Sequence, residues 1–257
     1  MLPHDDVGEG PAVVLLHAGI ADRSMWRDHV DAIAEEGFRA VVPDLAGFGE
    51  AAVAAGEHAP WNDIALLLNE LGIEHAALVG NSFGGAVALR FAVLAPHRVW
   101  ALVVVAAPSP GLEPSAALEA VWTTEEEALE RGDVDAALAA VVDGWTLPDA
   151  PDELRERVAA MQRRAYELQL NAPEPSEAPD PVGEDIATLA PIEAPTLVIA
   201  GGRDYPEFVA GATAIAGAIT GARHELIAAA GHLVPLDRPA EFQAVLLPFL
   251  RRHAPAR

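Results

Sequence analysis

Ala76-Ala77-Leu78-Val79-Gly80-Asn81-Ser82-Phe83-Gly84-Gly85 runs from apolar residues through a serine framed by glycines and straight into a helical pattern over residues 83–94. Residues 80–84 have the form G-x-S-x-G, and the apolar run before them and the helix after them supply the strand–turn–helix context of a nucleophile elbow. The glycines have a steric reason: at so sharp a reversal, side chains two residues before and two after the serine would collide. The turn lifts the Ser82 hydroxyl above the carboxyl edge of a sheet, at a helix N-terminus whose backbone dipoles favour developing negative charge.

A glycine-rich turn after a strand also serves phosphates, or nothing but the turn itself. A dinucleotide-binding G-x-G-x-x-G beginning at Gly80 would need glycine where Ser82 stands, and a phosphate-binding loop would need a lysine. The chain contains no lysine, and all sixteen basic residues are arginine. That omission also excludes Schiff-base chemistry and pyridoxal phosphate attachment. The absence of cysteine excludes disulfides, thiol nucleophiles, iron–sulfur clusters and cysteine-ligated zinc.

On either side of the elbow, short runs rich in valine and leucine at residues 12–17, 39–42, 76–80 and 99–106 read as strands buried on both faces. Amphipathic stretches at 28–36, 62–71 and 83–94 separate them, so the order implies a mostly parallel sheet flanked by helices. After Pro108 the rhythm changes to helical patterns at 115–131, 133–145 and 152–171 with no strand between. The proline-rich stretch 172–181 cannot continue a helix and reads as a return linker. Strands resume at 196–200 and 224–228, with helices at 207–218 and 239–252. The expected organisation is an α/β core formed by residues 1–110 and 191–257, interrupted by a helical cap over 111–190.

A serine hydroxyl needs a general base. His232 follows the last strand and precedes the final helix, which puts it on the same sheet edge as Ser82. The carboxylate that orients the imidazole is read as Asp204, directly after the strand at 196–200. The order serine, acid, histidine suits this fold; Asp44 and Asp185 are the alternative acids. The tetrahedral oxyanion needs two backbone N–H groups, assigned to Phe83 and to Gly19 in the loop after the first buried strand. His17 in that loop reads as structural. No histidine pair has the i,i+4 spacing beside glutamate of a zinc hydrolase helix, so no metal and no cofactor is expected.

The formal net charge of −23 makes nucleic acid and anionic membranes poor partners, and acidic charge keeps an alanine-rich protein in solution. No basic, apolar leader precedes Pro11, and the longest apolar runs are too short to span a bilayer; a cytoplasmic location is expected. Oligomeric state is not legible.

These pieces together resemble the α/β-hydrolase superfamily, in the group of small capped serine esterases and lactonases. The resemblance is carried by Leu15-Leu16-His17-Ala18-Gly19 with Trp26 downstream, Pro43-Asp44-Leu45-Ala46-Gly47-Phe48-Gly49, the elbow, Gly202-Arg203-Asp204, and Gly231-His232-Leu233-Val234-Pro235. It implies a cofactor-free hydrolase with a Ser82–His232–Asp204 triad. Three features depart from the family pattern. Ala18 stands where glycine is more usual; only about ten residues precede Ala12, where the family has two further strands, which leaves the first strand of the sheet in question; and Tyr205-Pro206-Glu207-Phe208 starts a helix abruptly after Asp204. Relatives that open epoxides or remove halide would carry aspartate at position 82. Carbon–carbon bond hydrolases share a Gly-Asn-Ser elbow but usually place an aromatic residue where Leu233 stands. The expected function is hydrolysis of a small-molecule ester or lactone, with carbon–carbon bond hydrolysis or non-enzymatic ligand binding as alternatives. Trp26, Phe83, Trp122, Trp145, Met161 and Tyr166 are the expected pocket lining.

Overall fold

The computed structural model describes residues 1–255. In chain order the elements are β1 (His4–Val7), β2 (Ala12–Leu16), α1 (Arg27–Glu35), β3 (Arg39–Pro43), β4 (Glu57–His58), α2 (Pro60–Glu70), β5 (Ala76–Asn81), α3 (Phe83–Leu94) and β6 (Val99–Val105). Three helices follow without an intervening strand: α4 (Ala116–Glu130), α5 (Val134–Trp145) and α6 (Asp152–Gln169). The chain then forms β7 (Ser176–Glu177), β8 (Thr196–Gly201), α7 (Pro206–Ala218), β9 (Arg223–Ile227), α8 (Val234–Asp237) and α9 (Pro239–His253). The strands expected from the apolar runs match β2, β3, β5, β6, β8 and β9 to within one residue at each end.

Seven strands form one sheet in the order β1-β3-β2-β5-β6-β8-β9, parallel except for β1. Every residue of β2, β5 and β8 is buried, as strands covered on both faces must be. Alternate residues feed two core layers. Val13, Leu15 and Val79 face α1 and α9, with Ile33 and Phe242 against them; Val14, Leu16 and Leu78 face α2 and α3, with Leu67 and Leu89 against them. The first layer continues into α4–α6 through Ala128, Val141, Val158 and Met161, so these helices share its apolar packing.

The N-terminal residues supply a strand that the sequence left in question. β1 pairs antiparallel with β3, from His4 opposite Pro43 to Val7 opposite Ala40. Arg39 holds this edge by donating to both oxygens of the Asp6 carboxylate. The return linker gains a tie of its own: β7 pairs with β4 in a two-stranded parallel ladder. No helix among the described residues is long and apolar enough to cross a membrane.

The topology places the site. β2 and β5 are neighbours in register, Leu16 opposite Gly80, so the loop after β2 and the turn after β5 leave the sheet side by side. The loops after β8 and β9 leave by the same carboxyl edge, where open α/β sheets bind ligands. The approach of α3 to the sheet permits nothing larger than glycine: a β-carbon on Gly80 would lie 2.2 Å from Gly84 O, and one on Gly84 would lie 2.3 Å from Leu16 O. Both obstacles are backbone and cannot swing away. Gly84→Ala is therefore expected to cost about 3 kcal/mol of stability by denaturant unfolding, as overpacking of a rigid interior does; an unchanged midpoint would show that α3 can move outward freely.

Candidate active site

Ser82 sits between β5 and α3 at φ 53°, ψ −115°, a left-handed conformation that a non-glycine residue holds only under constraint. Its N–H donates to Val105 O at 2.8 Å and its carbonyl accepts from Ala86 N at 2.9 Å, tying the turn to β6 and to the first turn of α3. His232 Nε2 lies 2.7 Å from Ser82 Oγ, and His232 Nδ1 lies 2.9 Å from Asp204 Oδ2. The imidazole and the carboxylate are almost completely shielded from solvent. The other Asp204 oxygen accepts the Tyr205 N–H at 2.7 Å, so the abrupt start of α7 orients the acid.

The loops carrying Asp204 and His232 are laced together. Gly202 N donates to Ile227 O and Arg203 N to Ala230 O, at 3.0 and 2.8 Å. The Asn81 amide donates to Val105 O and to His232 O, joining the residue before Ser82 to the histidine's own backbone. Asp237 accepts the Gly231 N–H at 2.8 Å. Burial raises the Asp237 carboxyl above the usual carboxylate range, and that hydrogen bond opposes the rise. Trp145 and Phe208 pack on the His232 ring with centroids 4.4 and 4.5 Å away, fixing its plane. The sequence offered no sign of the Asn81, Asp237 or Phe208 contacts, because each partner lies in a different element.

The alternative acids have other partners. Asp44 is buried in an ion pair with Arg23 and accepts the backbone N–H groups of Arg23 and Glu50 at 2.8 Å each. Asp185 caps the short helix Ile186–Leu189 through Ala187 N. His17 is held as a neutral ring: Nε2 accepts from Leu45 N at 2.9 Å, which leaves Nδ1 to donate to Ala18 O at 2.8 Å. Burial lowers its pKa and keeps it uncharged, as suits a residue that shapes the loop. Gly19 lies beside Phe83; a β-carbon on it would sit 3.4 Å from the Phe83 β-carbon. The Phe83 N–H belongs to the first turn of α3, where backbone donors have no intrahelical acceptor.

A cavity of about 310 Å³ opens over Ser82 and His232, lined also by Gly19, Ile20, Trp122, Trp145 and Tyr166. Three expected lining residues are elsewhere. Trp26 is fully buried beneath the site against His29 and Phe242, and Met161 is buried in the same apolar layer with its sulfur 3.4 Å from Ser24 Oγ. Phe83 lines a second cavity, of about 640 Å³, together with Trp61 and Leu112. The polar part of the Ser82 cavity was not foreseen: Glu125 on α4, with Gln162 and Gln169 on α6. Tyr166 Oη donates to Glu125 Oε1 at 2.6 Å. Among the described residues no cluster of three or more His, Asp or Glu is arranged to hold a metal.

A family model described as alpha/beta hydrolase fold matches residues 11–239, and the chain belongs to that family. One curated relative, the 2-hydroxy-6-oxo-2,4-heptadienoate hydrolase of Pseudomonas putida, is 38% identical over 127 residues, which is 47% of this chain and 46% of the relative. The chain thus matches less than half the length of that relative. Among solved structures, a thermophilic esterase from Thermogutta terrifontis superposes with a TM-score of 0.79 at 27% identity, covering 99% of this chain and 94% of the esterase. A protein described as an N-acyl homoserine lactone degrading enzyme superposes with a TM-score of 0.77 at 25% identity over 96% of both chains.

Glu125 yields a test of the cavity's electrostatics. Burial raises its carboxyl above the usual range, so the group ionises less readily folded than unfolded. Its favourable contribution is present at low pH and is lost as pH rises through the raised value. Glu125→Gln keeps an acceptor for Tyr166 and removes the titration. Thermal unfolding should show the variant gaining on the wild type as pH rises above about 4, the ordinary glutamate range; a difference independent of pH would mean that Glu125 is solvated.

Proposed function

We propose that the chain is a serine hydrolase that cleaves a small carboxylic ester or lactone through an acyl-enzyme. The observation that carries this reading is the unbroken line from Asp204 through His232 to the Ser82 hydroxyl, at 2.9 and 2.7 Å, opening into a cavity of about 310 Å³. His232 Nε2 takes the Ser82 proton as Oγ attacks the substrate carbonyl, and Asp204 stabilises the imidazolium that forms. The oxyanion is received by the N–H groups of Gly19 and Phe83. Collapse of the tetrahedral intermediate expels the alcohol, which carries away the proton held by His232. Water, deprotonated by the same histidine, then attacks the acyl group, and the carboxylic acid leaves as Ser82 regains its proton. None of these steps calls for a cofactor, a metal or a macromolecular partner.

In this reading residues 111–190 act as a cap over the core formed by 1–110 and 191–257. Trp122, Trp145 and Tyr166 on its helices close the cavity over Ser82, exclude water from the acyl-enzyme and limit the substrate to a small molecule.

The curated relative's name favours carbon–carbon bond hydrolysis, and the same triad and elbow could serve it. That relative's substrate is a dienoate, a carboxylate. The residues lining the Ser82 cavity include no arginine, and they present Glu125 instead. A carboxylate substrate would meet an acidic side chain and no cationic partner there, which favours an ester or lactone.

Assayed on p-nitrophenyl butyrate, Ser82→Ala should lose at least about a thousandfold in kcat, and Asp204→Asn up to about ten thousandfold, while the fold is retained. Full activity of Ser82→Ala would remove the nucleophile from this account. Loss of less than about tenfold in Asp204→Asn would remove the acid. A parallel panel of lactones and of dienoate carbon–carbon substrates separates the two chemistries, with esters or lactones expected to turn over faster.

A further inference from the structure

The peptide that presents Gly19 to the Ser82 cavity is tied down on both sides of Ala18. Ala18 O accepts the Ala21 N–H at 3.0 Å, closing a turn over residues 18–21, and accepts from His17 Nδ1 at 2.8 Å. Across a trans peptide the N–H points opposite to the carbonyl, so two donors on Ala18 O aim the Gly19 N–H away from themselves. That N–H has no acceptor within the protein among the described residues, and Gly19 lines the cavity beside Ser82. The N–H of Ala18 itself is bound by a sulfur: Met25 Sδ accepts it at 3.3 Å. Ala18 and Met25 are both buried, so bulk water does not compete for this donor. Met25 is presented by the helical turn Arg23–Trp26, capped by Asp22, whose carbonyl accepts the Met25 N–H at 3.1 Å.

A buried N–H stripped of its acceptor pays its full desolvation penalty, and the backbone shifts to find another partner. Here the shift turns Ala18, and with it the Gly19 N–H. We propose that Met25 is a positioning residue for the oxyanion site: its sulfur holds the Ala18 N–H, and through Ala18 it sets the direction in which Gly19 donates. Ala18 suits this role better than the glycine more usual at its place, because a β-carbon narrows the rotations open to the residue between the two tied peptides. The inference rests on the reading of the Gly19 N–H as an oxyanion donor. Removing the sulfur leaves Ser82, His232 and Asp204 in place, so its effect falls on the carbonyl oxygen of the substrate.

The test exchanges the sulfur while keeping the shape of the side chain. In a Met161→Leu background the remaining methionines are Met25 and the exposed Met1, and the protein is prepared with methionine, selenomethionine or norleucine. Selenium still accepts a hydrogen bond, as sulfur does, and a methylene does not. Loss of a whole oxyanion donor costs about 10²–10³ in kcat, and a misdirected one costs part of that. On p-nitrophenyl butyrate the norleucine protein should therefore lose about tenfold in kcat with KM within about twofold, and the selenomethionine protein should stay within about twofold in both. A small fluorophosphonate reads the same site without an ester: Ser82 Oγ bonds to phosphorus, fluoride leaves, His232 takes the serine proton, and the phosphoryl oxygen occupies the oxyanion site. Labelling of Ser82, followed by intact mass, should slow about tenfold in the norleucine protein. If that protein does not fold, Met25→Leu, a volume-conserving exchange, is expected to show the same loss. Equal labelling rates with and without the acceptor, or a loss confined to KM, would overturn the proposal while leaving the ester reading intact. If neither ester nor lactone is turned over, the ester reading fails and the labelling rates alone decide the role of Met25. No labelling of Ser82 in the wild type would overturn both.

Discussion

The strained backbone at Ser82 is the constraint on which the rest of the site depends. Holding a serine in that conformation costs on the order of 1–3 kcal/mol, and the surroundings must over-determine it. They do so from three sides: β6 receives the serine's N–H at Val105, α3 begins immediately behind it, and the backbone of β2 closes against Gly84. The strain has a return. It projects the hydroxyl off the sheet edge and leaves the first donors of α3 without helical acceptors, next to the loop that carries Gly19. The Ser82 hydroxyl and the free Phe83 N–H are thus products of one turn.

His232 and Asp204 are brought to that turn by sheet order. β5, β6, β8 and β9 lie side by side and parallel, so loops separated by 150 residues in sequence meet within hydrogen-bonding distance at Ser82 and His232. Their geometry is then fixed by contacts that take no part in proton transfer: Asn81 on the His232 carbonyl, Asp237 on Gly231, and the rings of Trp145 and Phe208 on the imidazole. Burial of the Asp204–His232 pair removes competing water, so the carboxylate holds the ring in the tautomer that leaves Nε2 free to accept from Ser82.

The elbow and the meeting of Ser82, Asp204 and His232 could be read from sequence because each signal is local: a glycine-framed serine between a strand and a helix, then a carboxylate and a histidine each at a strand's end. The inner strands were legible because burial on both faces leaves unbroken runs of Val and Leu. β1 was not, because His4-Asp5-Asp6-Val7 is an edge strand with its charged side chains toward solvent, and its partner β3 is encoded more than thirty residues away. Trp26 and Met161 were misplaced for the opposite reason: an aromatic or a methionine suits a pocket and a core equally well, and only packing separates them. The Tyr166–Glu125 hydrogen bond joins two helices through side chains with no shared motif, so no local pattern announces it.

The central claim is that Ser82 forms a covalent bond to the substrate's acyl group, and it is tested most directly by rapid acid quench of the protein during turnover of p-nitrophenyl butyrate, followed by intact-mass and peptide analysis. The account predicts a single butyryl adduct on the peptide containing Ser82, absent in Ser82→Ala. Ester turnover in the wild type with the adduct on another residue, or an adduct that persists in Ser82→Ala, would contradict it.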